Sequence, residues 1–467
     1  MMSNSLFKNF SYSFAANILN LLVRTAYVFF LPKLIGVEDF GYWQLYFLYT
    51  QFMHFCHMGL VDGVYLKIGG FIYETIKKGK LIRQFSILIL FSIAFALLIN
   101  AASLLTTDNS NKIFILFIVS LDLLVMLPRT LLSVIFQATA KIREFTLAML
   151  SEVLVSFIIV GLLLMCGIKD YHIIILADFF GRIVSLGVSL ALLPEFFYVK
   201  LPSKQDFLRS IAYIKIGVFL LMANMAGMLV LSIIRLCIEY KWGIIVFSKI
   251  SLSFSLSNMV MVGINAGSLV LFPYLKRMSK EKFEKSYVAI KEVLTLFLLF
   301  ILTFYYPASK ILELWLPKYV DSFRYLAILA PMCLCEAQLS LVYNNYLKAI
   351  RKERMIFKIN MLTVLLAVFL GALIIIANIQ LDIVLFGILL LGITKVTIAN
   401  YVMNKYFSQQ EHFDLVVTVG GMVLFVICNF YIIGLRGTMV YMLSIVALGA
   451  IFFKKYINNV KFLRNVG

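Results

Sequence analysis

Apolar windows of about twenty residues or more alternate with short polar breaks along nearly the whole chain. They lie at 12–35, 41–66, 86–106, 113–138, 147–167, 172–194, 212–238, 243–272, 287–308, 323–347, 356–378, 382–404, 413–434 and 437–456. A helix needs about 20 apolar residues to cross about 30 Å of hydrocarbon. The pattern predicts an all-α polytopic membrane protein of about fourteen transmembrane helices. The last two spans meet at a tight turn, Leu435–Gly437.

The breaks carry a second periodicity. Every even break is basic: KKGKLIR (77–83), KIR (141–143), KRMSKEKFEK (276–285) and RKER (351–354), with a basic C-terminal tail. The odd breaks GVEDFG (36–41), TTDNSNK (106–112), GIKDYH (167–172) and NIQLD (378–382) are poor in Lys and Arg. Roughly 26 basic residues fall on the even side, about 9 on the odd side and about 7 within spans, which puts both termini in the cytoplasm. This asymmetry absorbs most of the net charge of +19, so nucleic acid is not needed as a partner. Trp43, Trp242 and Trp315 all stand at the opposite breaks, where amphipathic rings favour the interface. The composition agrees, with 62% hydrophobic residues, 14% charged and a mean hydropathy of +0.97. The six cysteines sit in or beside apolar runs and read as core residues rather than a disulfide framework. The apolar stretch after Lys8 is too long for a signal-peptide core and reads as an uncleaved first span.

A weak repeat divides the chain. IGVEDFGYW (35–43) has a counterpart in CIEYKWGII (237–245), and FQATAKIR (136–143) in YLKAIRKER (346–354). Parallel repeats of this kind build two lobes of the same orientation. The expected organisation is a six-helix lobe over 1–198, a second over 199–407 and two additional helices over 408–467, with PEFFYVKLPSKQDFLRS (194–210) as linker.

Candidate chemistry lies in the charges left inside the spans. An arginine at the bilayer centre costs about 2.5–3.5 kcal/mol on insertion scales. In the first span Ser13, Asn17, Asn20, Arg24 and Tyr27 recur at helical spacing and form a polar stripe. Asp178, Arg182, Ser185 and Ser189 do the same in the sixth span. Asp122, Arg129 and Ser133 share a face of the fourth, with Pro128 bending it. Lys249, Glu336 and Lys395 are the corresponding charges of the second lobe. Such groups must meet water or partners rather than lipid. Two readings compete. In one, the arginines form internal pairs, Arg182 with Asp178 and Arg129 with Asp122. In the other, they wall a hydrated passage for an anion, since guanidinium matches phosphate with a planar fork of donors. Arg24 has no acidic residue on its own helix. Glu336 is a candidate for coupling to a cation or proton, and Asp62 is a candidate for pairing with Lys67 one turn away. His54 and His57 lack the further ligands of a metal site, and no metal or cofactor is expected. No phosphate loop, nucleophile elbow or HExxH motif occurs.

Four stretches carry a resemblance. Arg24 in the first span, LPKLIGVEDFGYWQLY (31–46), GLVDGVYLKIGG (59–70) and FQATAKIREF (136–145) resemble the Wzx-type polysaccharide flippases of the multidrug/oligosaccharidyl-lipid/polysaccharide exporter superfamily. The likeness covers most of the chain in layout, and its first 150 residues best. It implies a V of two six-helix lobes in the bacterial cytoplasmic membrane, acting as a monomer. The implied activity is flipping an undecaprenyl-pyrophosphate-linked oligosaccharide outward by alternating access, for a capsule or O-antigen type of surface polysaccharide. Membrane lipids and polysaccharide polymerase machinery are the implied partners. The pyrophosphate would meet a cationic centre at Arg24, Arg129 and Arg182, and the last two spans would form a groove for the lipid tail.

Two rival functions follow from the same residues. A cation-coupled drug or metabolite antiporter of this fold should meet its substrate with carboxylates, whereas arginines dominate here. A membrane enzyme such as a polymerase acting on lipid-linked glycans should display a large external loop, and no outer break much exceeds about 15 residues.

Overall fold

A computed structural model describes the backbone of residues 2–275, 278–407, 413–432 and 434–466, with side chains described from Ala16 onward except at scattered positions, chiefly between 262 and 280. Each apolar window is mainly helical over its described residues, and several are interrupted by turns. Among the described residues, eight helices are long and apolar enough to cross a membrane, or ten if each of two bent pairs counts as one. The protein is a multi-pass membrane protein.

The chain divides into two compact units, Met1–Met225 and Ala226–Gly467. Unit 1 holds α1 (Met2–Leu34), α2 (Val37–Phe52), α3 (Leu60–Ile68), α4 (Lys78–Thr106), α5 (Ser110–Ala138), α6 (Ile142–Met165), α7 (Tyr171–Leu192) and the start of α8 (Lys204–Leu275). Asn109 caps α5 by accepting from the Lys112 amide, and Asp170 caps α7 by accepting from the His172 amide. α5 is the axis of the unit: 61% of its membrane-length window is buried, against 17% for α6, and α2, α3, α4 and α7 all pack on it.

The second apolar window is not one helix. α2 ends at Phe52, a tight turn of 3₁₀ helix runs over Met53–His57, and α3 restarts at Leu60. Met58 and Gly59 take left-handed backbone, φ 50° and 90°. The close packing behind the break is specific: a Cβ on Gly63 would lie 2.1 Å from the Tyr213 carbonyl oxygen, and one on Gly217 would lie 2.0 Å from that of Gly59. α3 therefore meets α8 backbone to backbone.

The expected linker is docked on unit 1. Tyr73 and Lys78 reach Glu195 at 2.5 and 2.9 Å, Arg83 reaches Asp206 at 3.0 Å, and Ser210 donates to Gln84 at 2.6 Å.

Unit 2 begins within α8, which is broken at Gly243 (φ 79°) where the sequence places the boundary between its seventh and eighth spans. It continues through α9 (Lys280–Leu302), α10 (Tyr305–Trp315), α11 (Val320–Leu329), α12 (Met332–Ala337), α13 (Asn344–Ala349), α14 (Glu353–Ile376), α15 (Leu381–Asn404), α16 (Phe413–Val426) and α17 (Leu435–Val466). The ninth and tenth windows bend, by 44° before α10 and by 50° between α11 and α12. Pro331 stands at the second bend, where its ring and missing N–H interrupt the helical ladder. The helix then widens to a π turn at Gln338–Tyr343. α17 lies along α9: Tyr441 donates to the Leu299 carbonyl at 3.1 Å, and Lys455 and Asn459 each approach Glu292 to 2.5 Å. The two C-terminal helices are thus packed parts of unit 2.

Candidate functional site: an arginine network in unit 1

The polar faces of α1, α5, α6 and α7 converge. Glycine at 181 makes this possible, because a Cβ there would lie 2.9 Å from the Glu152 carbonyl oxygen and 3.0 Å from Ser156 Cβ. That close approach of α7 to α6 brings Ser156 Oγ within 3.0 Å of Asp178 Oδ1. Ser156 has one hydroxyl proton and gives it to Asp178. The 3.1 Å contact with Tyr27 is then filled by the tyrosine as donor, which ties α1 into the same chain of bonds.

Arg182 is the hub. It is 7% exposed and pairs with Asp122, which has no exposed surface, and with Asp178 at 2.9 Å. Its Nε lies 3.8 Å from Glu152, and its guanidinium lies over the Tyr46 ring, 5.3 Å from the centroid. Arg129 pairs with the other oxygen of Glu152. The spacing that sets Arg129 against Asp122 on one helix is therefore not the pairing found: Asp122 goes to Arg182, and Arg129 crosses to α6. The reason is reach, since seven residues separate Asp122 from Arg129, about two turns and about 10 Å of rise, whereas α6 and α7 lie alongside.

Arg24 is different. It is an exposed arginine whose Nε donates to Asn20 Oδ1 at 3.1 Å, one turn back. Among the described residues no carboxylate lies within ion-pair distance of it, and Asp178 acts on it only through longer-range attraction. Asn17 lies on the same exposed face, and the side chain of Ser13 falls outside the described residues. The three arginines face three carboxylates, Asp122, Glu152 and Asp178. Of the two readings offered by the sequence, internal pairing describes Arg129 and Arg182, and Arg24 is the one cation of the network without an ion pair among the described residues. Glu152 was missed because its window seemed apolar; a lone acid within a span is itself a signal.

In unit 2 the expected charges are also paired. Lys249 meets Asp321 at 2.5 Å, and Lys395 approaches Glu336 at 3.4 Å, beside the π turn. Asp62 faces His57 at 3.8 Å instead of Lys67. Two further cations inside the apolar windows escaped the sequence reading. Arg235 donates to Ser251 Oγ at 2.8 Å and lies over Phe247. Lys291, 2% exposed, donates to Asn400 Oδ1 at 3.1 Å.

With this geometry in hand, solved structures give the fold. One is an inward-facing multidrug resistance MATE family transporter of the MOP superfamily, at TM-score 0.63 and 12% identity, covering 84% of this chain and 97% of that one. Another is the lipid II flippase MurJ in an inward closed conformation, at TM-score 0.62 and 13% identity, covering 97% and 100%. The fold is the MATE and MurJ fold. No protein-family model and no curated protein matches the sequence. At these identities the likeness reaches the architecture and not the substrate.

Proposed function

We propose that this protein is a flippase that carries an undecaprenyl-pyrophosphate-linked oligosaccharide from the cytoplasmic to the outer leaflet of a bacterial inner membrane. The single observation behind this reading is Arg24, an exposed arginine in the middle of the first apolar window whose neighbour Asn20 adds an amide, while Asp178 and Glu152 are engaged by Arg182 and Arg129. Such a group is held at a cost of about 2.5–3.5 kcal/mol unless water or an anion meets it. A pyrophosphate offers it charge-assisted, bidentate bonds. The paired carboxylates argue against an organic cation as cargo, since none of Asp122, Glu152 and Asp178 is left to meet one. The fold is one that a lipid II flippase also uses, so the architecture is compatible with this reading.

Depletion in the native cell tests the reading. A flippase leaves lipid-linked oligosaccharide accumulated on the cytoplasmic leaflet. Accumulation of single repeat units outside would instead mark a polymerase, and unchanged glycan with altered drug sensitivity would mark an antiporter.

A further inference from the structure

We propose that His57 and Asp62, at the break between α2 and α3, form a one-proton site whose protonation shifts α3 against α8. His57 is 4% exposed, and its Nδ1 accepts a hydrogen bond from the Gly59 amide at 3.1 Å. The nitrogen that accepts carries no proton, so the imidazole is neutral as it stands, with its proton on Nε2. Asp62 Oδ2 is buried, has no hydrogen-bond donor among the described residues, and lies 3.8 Å from that same Nδ1.

One proton taken from water onto Nδ1 changes both contacts. The imidazolium can no longer accept from Gly59, and it gains a carboxylate partner in Asp62. Gly59 is left with a buried amide lacking an acceptor, a state that folded proteins avoid. It sits at φ 90°, and its carbonyl accepts the Gly63 amide at 2.8 Å in the first turn of α3. A change at Gly59 therefore displaces the start of α3. That displacement cannot be absorbed locally, because Gly59 and Gly63 already touch the backbone of Tyr213 and Gly217 in α8. Packed backbones without side chains between them move together or separate.

The surrounding charges are few. His54, in the same turn, is the group whose charge acts on His57. Arg129 of α5 and Arg182 of α7 act in turn on His54. α3 contributes Asp62 and, at its far end, Lys67. α4 also packs on the turn and contributes no charge acting on His57 among the described residues. The proposed cargo plays no part in this inference, which is tested without it.

The test uses the full chain in lipid nanodiscs, with the native cysteines replaced and spin labels placed by Tyr65→Cys and Phe219→Cys, both exposed positions. The distance distribution between α3 and α8 is measured from about pH 8 to about pH 4, because a buried imidazole takes up its proton below the ordinary range near about pH 6.5. We expect a shift with a single midpoint. His57→Gln keeps an acceptor for the Gly59 amide but takes no proton, and should abolish the shift. Asp62→Asn removes the stabilising carboxylate and should move the midpoint to lower pH. No shift in the parent protein, or the same shift in His57→Gln, overturns the proposal. If His57→Gln fails to fold, an unmoved midpoint in Asp62→Asn overturns it alone.

Discussion

Arg24→Gln removes a charge while leaving a polar side chain in the stripe of α1. Its effect on stability is bounded by what Arg24 touches: one bond to Asn20, one turn back, and no ion pair among the described residues. A net hydrogen bond is worth about 0.5–1.5 kcal/mol, and removing the arginine also relieves about 2.5–3.5 kcal/mol of insertion cost. The variant should therefore insert and melt like the parent or slightly better. Its effect on cargo is larger. Bonds to a charged group are worth about 1.5–3 kcal/mol, which converts to about a 10- to 150-fold loss of apparent affinity for a pyrophosphate. The assay is binding and flipping of a fluorescent polyprenyl-pyrophosphate glycan in proteoliposomes, alongside a thermal melt of the same preparation. Arg24→Lys, which keeps the charge without the fork, should fall between the two. Arg182→Gln is the control with the opposite profile: it leaves Asp122, without exposed surface, bare of its partner. Breaking such a pair costs about 3–5 kcal/mol, so this variant should lose folded protein first. Wild-type flipping by Arg24→Gln, or collapse of Arg24→Gln on the scale of Arg182→Gln, would refute the reasoning.

Two other expectations rest on different parts of the fold. Gly63→Ala drives a methyl to 2.1 Å from the Tyr213 carbonyl, and overpacking of this kind costs about 1–3 kcal/mol, readable as a lower melting temperature in detergent; an unchanged melt would mean that α3 and α8 are not in backbone contact. At Glu195 partial burial pushes the carboxyl up, but hydrogen bonds from Tyr73 and Lys78 outweigh it and hold it below the ordinary range. A depressed folded value stabilises above the unfolded value of about 4.3 and loses that gain as pH falls through the folded one. Glu195→Gln should accordingly be less stable than the parent near neutrality, with the gap closing in acid; a gap constant with pH would show that the carboxylate's charge is not what matters.

How much of this was legible beforehand differs by residue. The helical class, the membrane setting and the windows themselves follow from apolar run length, because a chain in hydrocarbon must satisfy its backbone internally. Arg24 stood out as a charge on a helix with no acid of its own. The bends near Phe304 and Pro331 and the break at Met53–Gly59 were hidden inside windows whose hydropathy is continuous.

Partnership was the other thing hidden. Spacing along one helix offers Asp122 to Arg129 and Lys67 to Asp62, yet the structure assigns Asp122 to Arg182, Glu152 to Arg129 and His57 to Asp62. Run length and charge placement are properties of the chain, so the sequence by itself determined what must be buried in the membrane and which charges would be costly there. Neutralisation is a property of distance between helices, set here by Gly181 letting α7 approach α6. Only the packed tertiary structure could decide which arginines are spent on carboxylates and which one remains at the accessible edge.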